Sequence, residues 1–300
     1  MINVAIAGYG NLGKSLEQQI RQRDDMRLVR IFSRRKIDNP LQANFDDATK
    51  ATDIDVCLLA LGSYVDLREN IRCFANFNTV DCFDDHAETD NYMRLLQQTK
   101  PDTVSLVCVG WDPGILSLVR GIFAPLGTVA TTWGKGQSMG HGNALRAIRG
   151  VLDGVQFTVP YDNASKRFFN GQTKPQQLVR RVCFVACAAV DREAIRRQIT
   201  TMPDYFDGYE TEVNFVSQQE VRALKADMSH CGKVYATGKY HTAETTLQVA
   251  NNADFTAAIM INCAFAVQKL ADDGYKGPFS PFDVPMRYFA DYSNVAFLSS

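Results

Sequence analysis

No stretch of this chain approaches the roughly 18 uncharged apolar residues that a membrane-crossing helix needs, which argues against a transmembrane span. Net charge is almost absent as well. The 32 Lys and Arg against 33 Asp and Glu leave a formal charge of −1, so no global field points towards nucleic acid or a membrane surface. The eight cysteines (Cys57, Cys73, Cys82, Cys108, Cys183, Cys187, Cys231 and Cys263) include no CxxC pair. That pattern speaks against zinc or any other metal site and for reduced thiols in a cytoplasmic protein. The opening MINVAIAGYGNLG lacks a basic leader and is broken by glycines, so it reads as strand and turn and not as a signal peptide. No internal repeat and no low-complexity linker interrupts the chain. What remains is ordinary globular composition over 300 residues, enough for two domains.

The first third alternates strand-like apolar runs with amphipathic stretches. Residues 2–7, 26–32, 55–61, 79–82 and 103–108 read as strands, and 11–23, 63–74 and 90–99 as helices. That rhythm predicts an α/β fold with a parallel sheet covered by helices on both faces. Beyond Gly110 the pattern changes. After a helix over 113–123, the β-like runs 128–133, 155–159, 181–190, 210–217 and 233–239 predict an antiparallel or mixed sheet, with one helix over 192–199. Residues 253–269 read as an apolar helix, and the tail from Gly274 reads as loop.

Gly8-Tyr9-Gly10-Asn11-Leu12-Gly13 is a GxGxxG placed between a strand and a helix, the order that a Rossmann dinucleotide site requires. Gly8 permits the tight turn, Gly10 lets backbone approach a pyrophosphate, and Gly13 lets helix and strand pack closely. Phosphates would then face the unpaired N–H groups at the helix N-terminus. A structural glycine turn is the alternative. The second strand ends in Phe32-Ser33-Arg34-Arg35, where an NAD site usually places Asp or Glu. A hydroxyl and two guanidinium groups suit a 2′-phosphate, so the predicted cofactor is NADP. An exposed basic turn would look the same.

Ala60-Leu61-Gly62-Ser63 and Gly110-Trp111-Asp112-Pro113 follow further strands, and ligands of open parallel sheets bind outside their carboxyl ends. Asp84 and Asp112 are the carboxylates at such ends, though either could be a helix cap. Further on, Trp133 leads into the glycine-rich Ser138-Met139-Gly140-His141-Gly142-Asn143, which reads as loop backbone lining a polar pocket or as a plain connection. Arg180-Arg181 opens an apolar strand, and His241 follows a Gly-Lys-Tyr loop.

At these residues the sequence resembles the meso-diaminopimelate dehydrogenases. The matching strings are GYGNLGKS (8–15), IFSRR (31–35), GWDPG (110–114), WGKGQSMGHGNALR (133–146), TMPDYFDGYE (201–210), EVNF (212–215) and ADFTA (253–257). The resemblance implies NADP-dependent oxidative deamination of the D-centre of meso-2,6-diaminopimelate in lysine biosynthesis. It implies a homodimer with no nucleic-acid or membrane partner. The expected layout is a Rossmann domain over 1–118, a substrate and dimerisation domain over 119–251, and a segment 252–300 packing back on the first. Cofactor contacts would fall on Tyr9, Gly10, Asn11, Leu12, Ser33, Arg34, Arg35, Ala60–Ser63, Cys82, Phe83, Asp84 and Val109, Gly110, Trp111, Asp112, Pro113. Substrate contacts would fall on Asp84, Asp112, Trp133, Met139, Gly140, His141, Thr158, Arg181, His241 and Asn252, with Asp84 and Asp112 as the catalytic candidates. The family commonly carries glutamine at the position of Met139 and aspartate at Asn143, both of which bear on substrate breadth. A broader D-amino-acid dehydrogenase, a dihydrodipicolinate-reductase-like enzyme and a non-catalytic NADPH sensor are the competing readings.

Overall fold

The computed structural model describes residues 1–63 and 65–289, and only the backbone at His86 and Met139. By its contacts the chain divides into two compact units, one of residues 1–118 and 253–300 and the other of residues 119–252.

In the first unit the strands β1 (Ile2–Ala7), β2 (Met26–Phe32), β3 (Gln42–Ala43), β4 (Val56–Leu59), β5 (Asn78–Asp81) and β6 (Val104–Leu106) form one parallel sheet. Helices α1 (Asn11–Ile20), α2 (Asp66–Asn70), α3 (Thr89–Thr99) and α4 (Ile115–Phe123) separate or follow them. In the second unit come β7 (Thr128–Trp133), β8 (Gly136–Gln137), β9 (Val151–Pro160), β10 (Val179–Cys187), β11 (Thr211–Phe215), β12 (His230–Thr237) and β13 (Thr242–Val249). A last strand, β14 (Gly277–Phe279), returns to the first sheet, whose order is β3-β2-β1-β4-β5-β6-β14. The order reverses between β1 and β4, which makes that crevice the switch point where such sheets hold ligands.

Period-two alternation divides the core. Val4, Ile6 and Leu58 pack on α1 and on the long helix Asn252–Asp272, whereas Ala5, Ala7, Cys57 and Leu59 pack with Phe74, Tyr92 and Leu96 on the other face. The second unit holds a four-stranded mixed sheet, β11-β10-β9-β8, and a three-stranded antiparallel sheet, β13-β12-β7.

The differences from expectation are local. The segment after Ser138 is helix α5 (Met139–Ala147) and not a glycine loop. Leu145 of that helix is buried, and packing against β9 overrides the low helix propensity of Gly140 and Gly142. The tail contains β14, and β13 adds a strand directly after His241 to the β-like runs read from the sequence. Residues 290–300 lie outside the described residues.

Candidate active site

A groove of about 520 Å³ opens at the switch point, lined by Gly8, Tyr9, Gly10, Ser33, Arg34, Arg35, Phe45, Ala60, Leu61, Gly62 and Asp66. Its shape depends on glycine. Gly8 has φ +95°, and a Cβ there would lie 2.3 Å from the Ala60 carbonyl oxygen; a Cβ on Gly13 would lie 2.2 Å from the Gly8 carbonyl oxygen. At Gly10 a Cβ would meet nothing within 4 Å, so the backbone at the start of α1 faces open space. Helix α1 has no acidic residue in its first turn and no side-chain cap, leaving its N–H groups to an anion. These features fit a dinucleotide pyrophosphate.

At the groove's far wall the Ser33 hydroxyl donates to the Arg35 carbonyl at 2.8 Å. Arg34 donates to Asp66 at 2.5 Å and lies over the Phe45 ring, 5.6 Å from its centroid. The Tyr9 hydroxyl donates to Glu17, which also accepts from Arg21 and Asn39. Asn11, Leu12, Gly13 and Ser63 flank the groove without lining it. Sequence reasoning missed Phe45 and Asp66.

The ends of β5 and β6 carry the other candidates. Asp84 is exposed, and its N–H donates to the Ser63 hydroxyl at 3.1 Å. Asp112 is half-buried and accepts from the Ser117 hydroxyl at 3.2 Å. The Phe83 side chain is fully buried and stacked on Tyr92 with centroids 4.3 Å apart, so that residue offers a ligand backbone only. Cys82, Gly110, Trp111 and Pro113 sit on the same two loops. Val109 faces a separate apolar cavity of about 230 Å³ beside Gly114, Ile115 and Cys263.

In the second unit, register puts Thr158 of β9 opposite both Arg181 of β10 and Gly136 of β8. Arg181 is 9% exposed, donates to the Thr158 hydroxyl at 2.5 Å and lies over the Tyr209 ring, 4.2 Å from its centroid. Among the described residues no carboxylate pairs with it, and its Nε is buried without a hydrogen-bond partner. Gln156 shares that sheet face two residues before Thr158, and its Oε1 is also buried without a partner.

His141 of α5 stands nearby, with Nδ1 2.6 Å from the Ser138 hydroxyl and Nε2 without a partner. Burial first, and the Arg181 charge second, push its pKa down to about 4, so the ring is neutral. Gly140 is exposed in the first turn of α5, and the Met139 side chain lies outside the described ones. Trp133 ends β7, opposite Gly232. His241 lies beyond the opposite end of that sheet, past Thr237, with Nε2 2.6 Å from the Leu126 carbonyl. The structure therefore brings Thr158, Arg181 and His141 together and leaves His241 apart from Trp133. Asn252 donates its N–H to the Met228 carbonyl at 3.0 Å where the long helix begins. Gln156 and Tyr209 were missed, although the parity of Gln156 with Thr158 was readable.

Residues 110–254 match the diaminopimelic acid dehydrogenase C-terminal domain. The chain is 40% identical over 300 residues to a meso-diaminopimelate D-dehydrogenase of Corynebacterium glutamicum, covering 94% of this chain and 93% of the relative. The chain belongs to the meso-diaminopimelate D-dehydrogenase family. Among solved structures, C. glutamicum DAP dehydrogenase in complex with DAP aligns at a TM-score of 0.88 and 38% identity, covering 97% of this chain and 96% of that one. An engineered D-amino acid dehydrogenase bound to NADP+ aligns at 0.83 and 36%, with 97% and 96% covered. Like its family, the chain is an amino-acid dehydrogenase that works with a nicotinamide cofactor and a small-molecule substrate.

Proposed function

We propose that this enzyme catalyses the NADP-dependent, reversible oxidative deamination of the D-centre of meso-2,6-diaminopimelate. The products are L-2-amino-6-oxopimelate, which cyclises, and ammonia, in lysine biosynthesis. The observation that carries the reading is the buried Arg181 guanidinium without a carboxylate partner. An isolated buried cation costs several kcal/mol, which a fold tolerates where a ligand completes the pair. A substrate carboxylate fits, because guanidinium, hydroxyl and neutral imidazole converge there as hydrogen-bonding groups.

Diaminopimelate carries an ammonium and a carboxylate at each end, and the strand-end carboxylates Asp84 and Asp112 supply the charge an ammonium needs. When bound, the nicotinamide supplies a hydride acceptor. The amine must be neutral before Cα releases hydride, and Asp84 or Asp112, directly or through a water, takes that proton. Water then hydrolyses the imine. Gripping the inert L-centre orients the other carbon, which is catalysis by positioning. NADP is supported by Ser33, Arg34 and Arg35 lining the groove where an NAD site usually has an acid. We also read the working form as a homodimer.

The test is NADP reduction with meso-, L,L- and D,D-diaminopimelate and simple D-amino acids. Activity on the meso isomer and none on the L,L isomer is expected. Turnover of simple D-amino acids without the meso compound would replace this reading with a broader D-amino-acid dehydrogenase.

A further inference from the structure

A carboxylate outside every ion pair of the described residues is buried where two functional loops leave the parallel sheet. Asp81 is the last residue of β5 and is 0% exposed. One oxygen accepts from the Phe83 N–H at 3.0 Å, and the other accepts from the Tyr92 hydroxyl of α3 at 2.8 Å. Its own carbonyl accepts from the Val109 N–H at 3.1 Å. Cys108 holds φ 59°, a left-handed conformation uncommon outside glycine. One residue thus ties down the roots of both loops, residues 82–84 and 109–112.

Burying a carboxylate costs several kcal/mol, and an apolar side chain at this point of the core would avoid that cost. Lys100 does not offset it by pairing. Its Nζ donates to the Phe74 and Phe77 carbonyls at 2.8 and 2.5 Å and to the Thr103 hydroxyl at 3.0 Å. The acceptors themselves are what the site requires.

We propose that Asp81 is a positioning residue for the dehydrogenase reaction, holding the Asp84 and Asp112 loops in the arrangement that the substrate's reacting end needs. This rests on the reading that those aspartates serve the reaction. The charged form matters because a donor faces each of its two oxygens. A carboxylate accepts from both, whereas a protonated acid or an amide turns one accepting atom into a donor.

Burial pushes the Asp81 pKa up to about 6, against the Phe83 N–H, the Tyr92 hydroxyl, the Cys108 N–H and the Lys100 charge. The titratable groups facing it are Tyr92 from α3, the thiols of Cys82 and Cys108, and Lys100 past the end of α3. The tyrosine is held well above its ordinary value and both thiols are pushed up to about 12, so these three stay neutral while Asp81 titrates. Asp84 stands exposed on the following loop.

Asp81→Asn imitates the protonated state. At pH well above 6, its kcat is expected to fall by roughly 10- to 100-fold, as displaced catalytic groups would produce. The wild-type to variant ratio of kcat should then shrink towards one as pH drops through about 6. Ionisations that do not sense the Asp81 charge cancel in that ratio; Lys100 does sense it, and removing that charge lowers its pKa further. Tyr92→Phe keeps the stack on Phe83 and removes one donor, so it should move the same transition to higher pH. A ratio that stays constant with pH marks Asp81 as merely structural and overturns the proposal, as does an unmoved transition in Tyr92→Phe. A wild type that binds NADPH but dehydrogenates no diaminopimelate isomer would remove the functional reading, and this role with it.

Discussion

Arg34 has a carboxylate neighbour before any phosphate arrives. Its 2.5 Å contact to Asp66 lies in the groove, with side chains 54% and 39% exposed, so the pair is worth no more than about 1 kcal/mol. A 2′-phosphate would compete with Asp66 for the guanidinium. Asp66→Asn should therefore tighten NADP binding by a few-fold at most, while alanine at both Arg34 and Arg35 should erode the preference for NADP over NAD. Calorimetry with both cofactors reads the two effects, and a preference that survives the double alanine change would move the phosphate contact elsewhere. Ser33, Arg34 and Arg35 were legible as groove residues because they follow β2 directly, beside the glycine turn, in a local pattern. Asp66 was not, since it reaches Arg34 from 32 residues away through the sheet. Arg181 was legible only through the resemblance, because a basic pair at a strand start usually means solvent. The pairing of β10 with β9 is what buries it.

Elements differ in how openly they are written. The strands of the parallel sheet are short apolar runs, and the glycine turn after β1 has a meaning at each position that stability and binding measurements can separate. Gly13→Ala drives a methyl group into the Gly8 carbonyl and should lower Tm sharply. Gly10→Ala has room for its methyl and a negative φ of −88°, so Tm should change little while NADPH binding weakens, because the methyl stands where the pyrophosphate approaches. Equal losses of Tm in the two variants would contradict this division. Helix α5 was illegible for a physical reason. Its glycines argue against a helix locally, and it is held by tertiary contacts, among them Arg146 donating to the Gly154 carbonyl at 2.7 Å. Strand β14 is three residues long and includes Pro278, and its partner β6 lies far back in the chain.

For the molecule as a whole, buried Lys100 sets a pH dependence of stability. Burial, opposed by Cys57 and Asp81, pushes its pKa down to about 7 from an ordinary 10.5. Between those values the unfolded chain binds the proton and the folded one does not, so stability rises with pH. Buried thiols act in the opposite sense once unfolded cysteines ionise, near 9. Asp81 and His141 titrate below this window. Urea unfolding should show stability increasing from pH 7 to about pH 8.5, and Lys100→Met should abolish that slope. A slope that persists in the variant would assign it to another group. At this scale the change of pattern past Gly110 was visible in the sequence, because strand–helix alternation gives way to successive β runs. The return of the C-terminal segment rested on the resemblance alone, since periodicity does not say which sheet a strand joins.

The return of the chain after residue 252 governs when the nucleotide-binding unit can be completed. Val4, Ile6 and Leu58 find their cover in Ala257, Met260, Ile261 and Ala264, close to 200 residues or more downstream. On a ribosome that face of the sheet has only α1 as cover until residues 257–264 emerge, whereas every strand partner of the 119–252 unit has by then emerged. A nascent chain stalled before its long helix thus offers chaperones a half-covered apolar sheet face, and the first-made unit closes after the second has emerged.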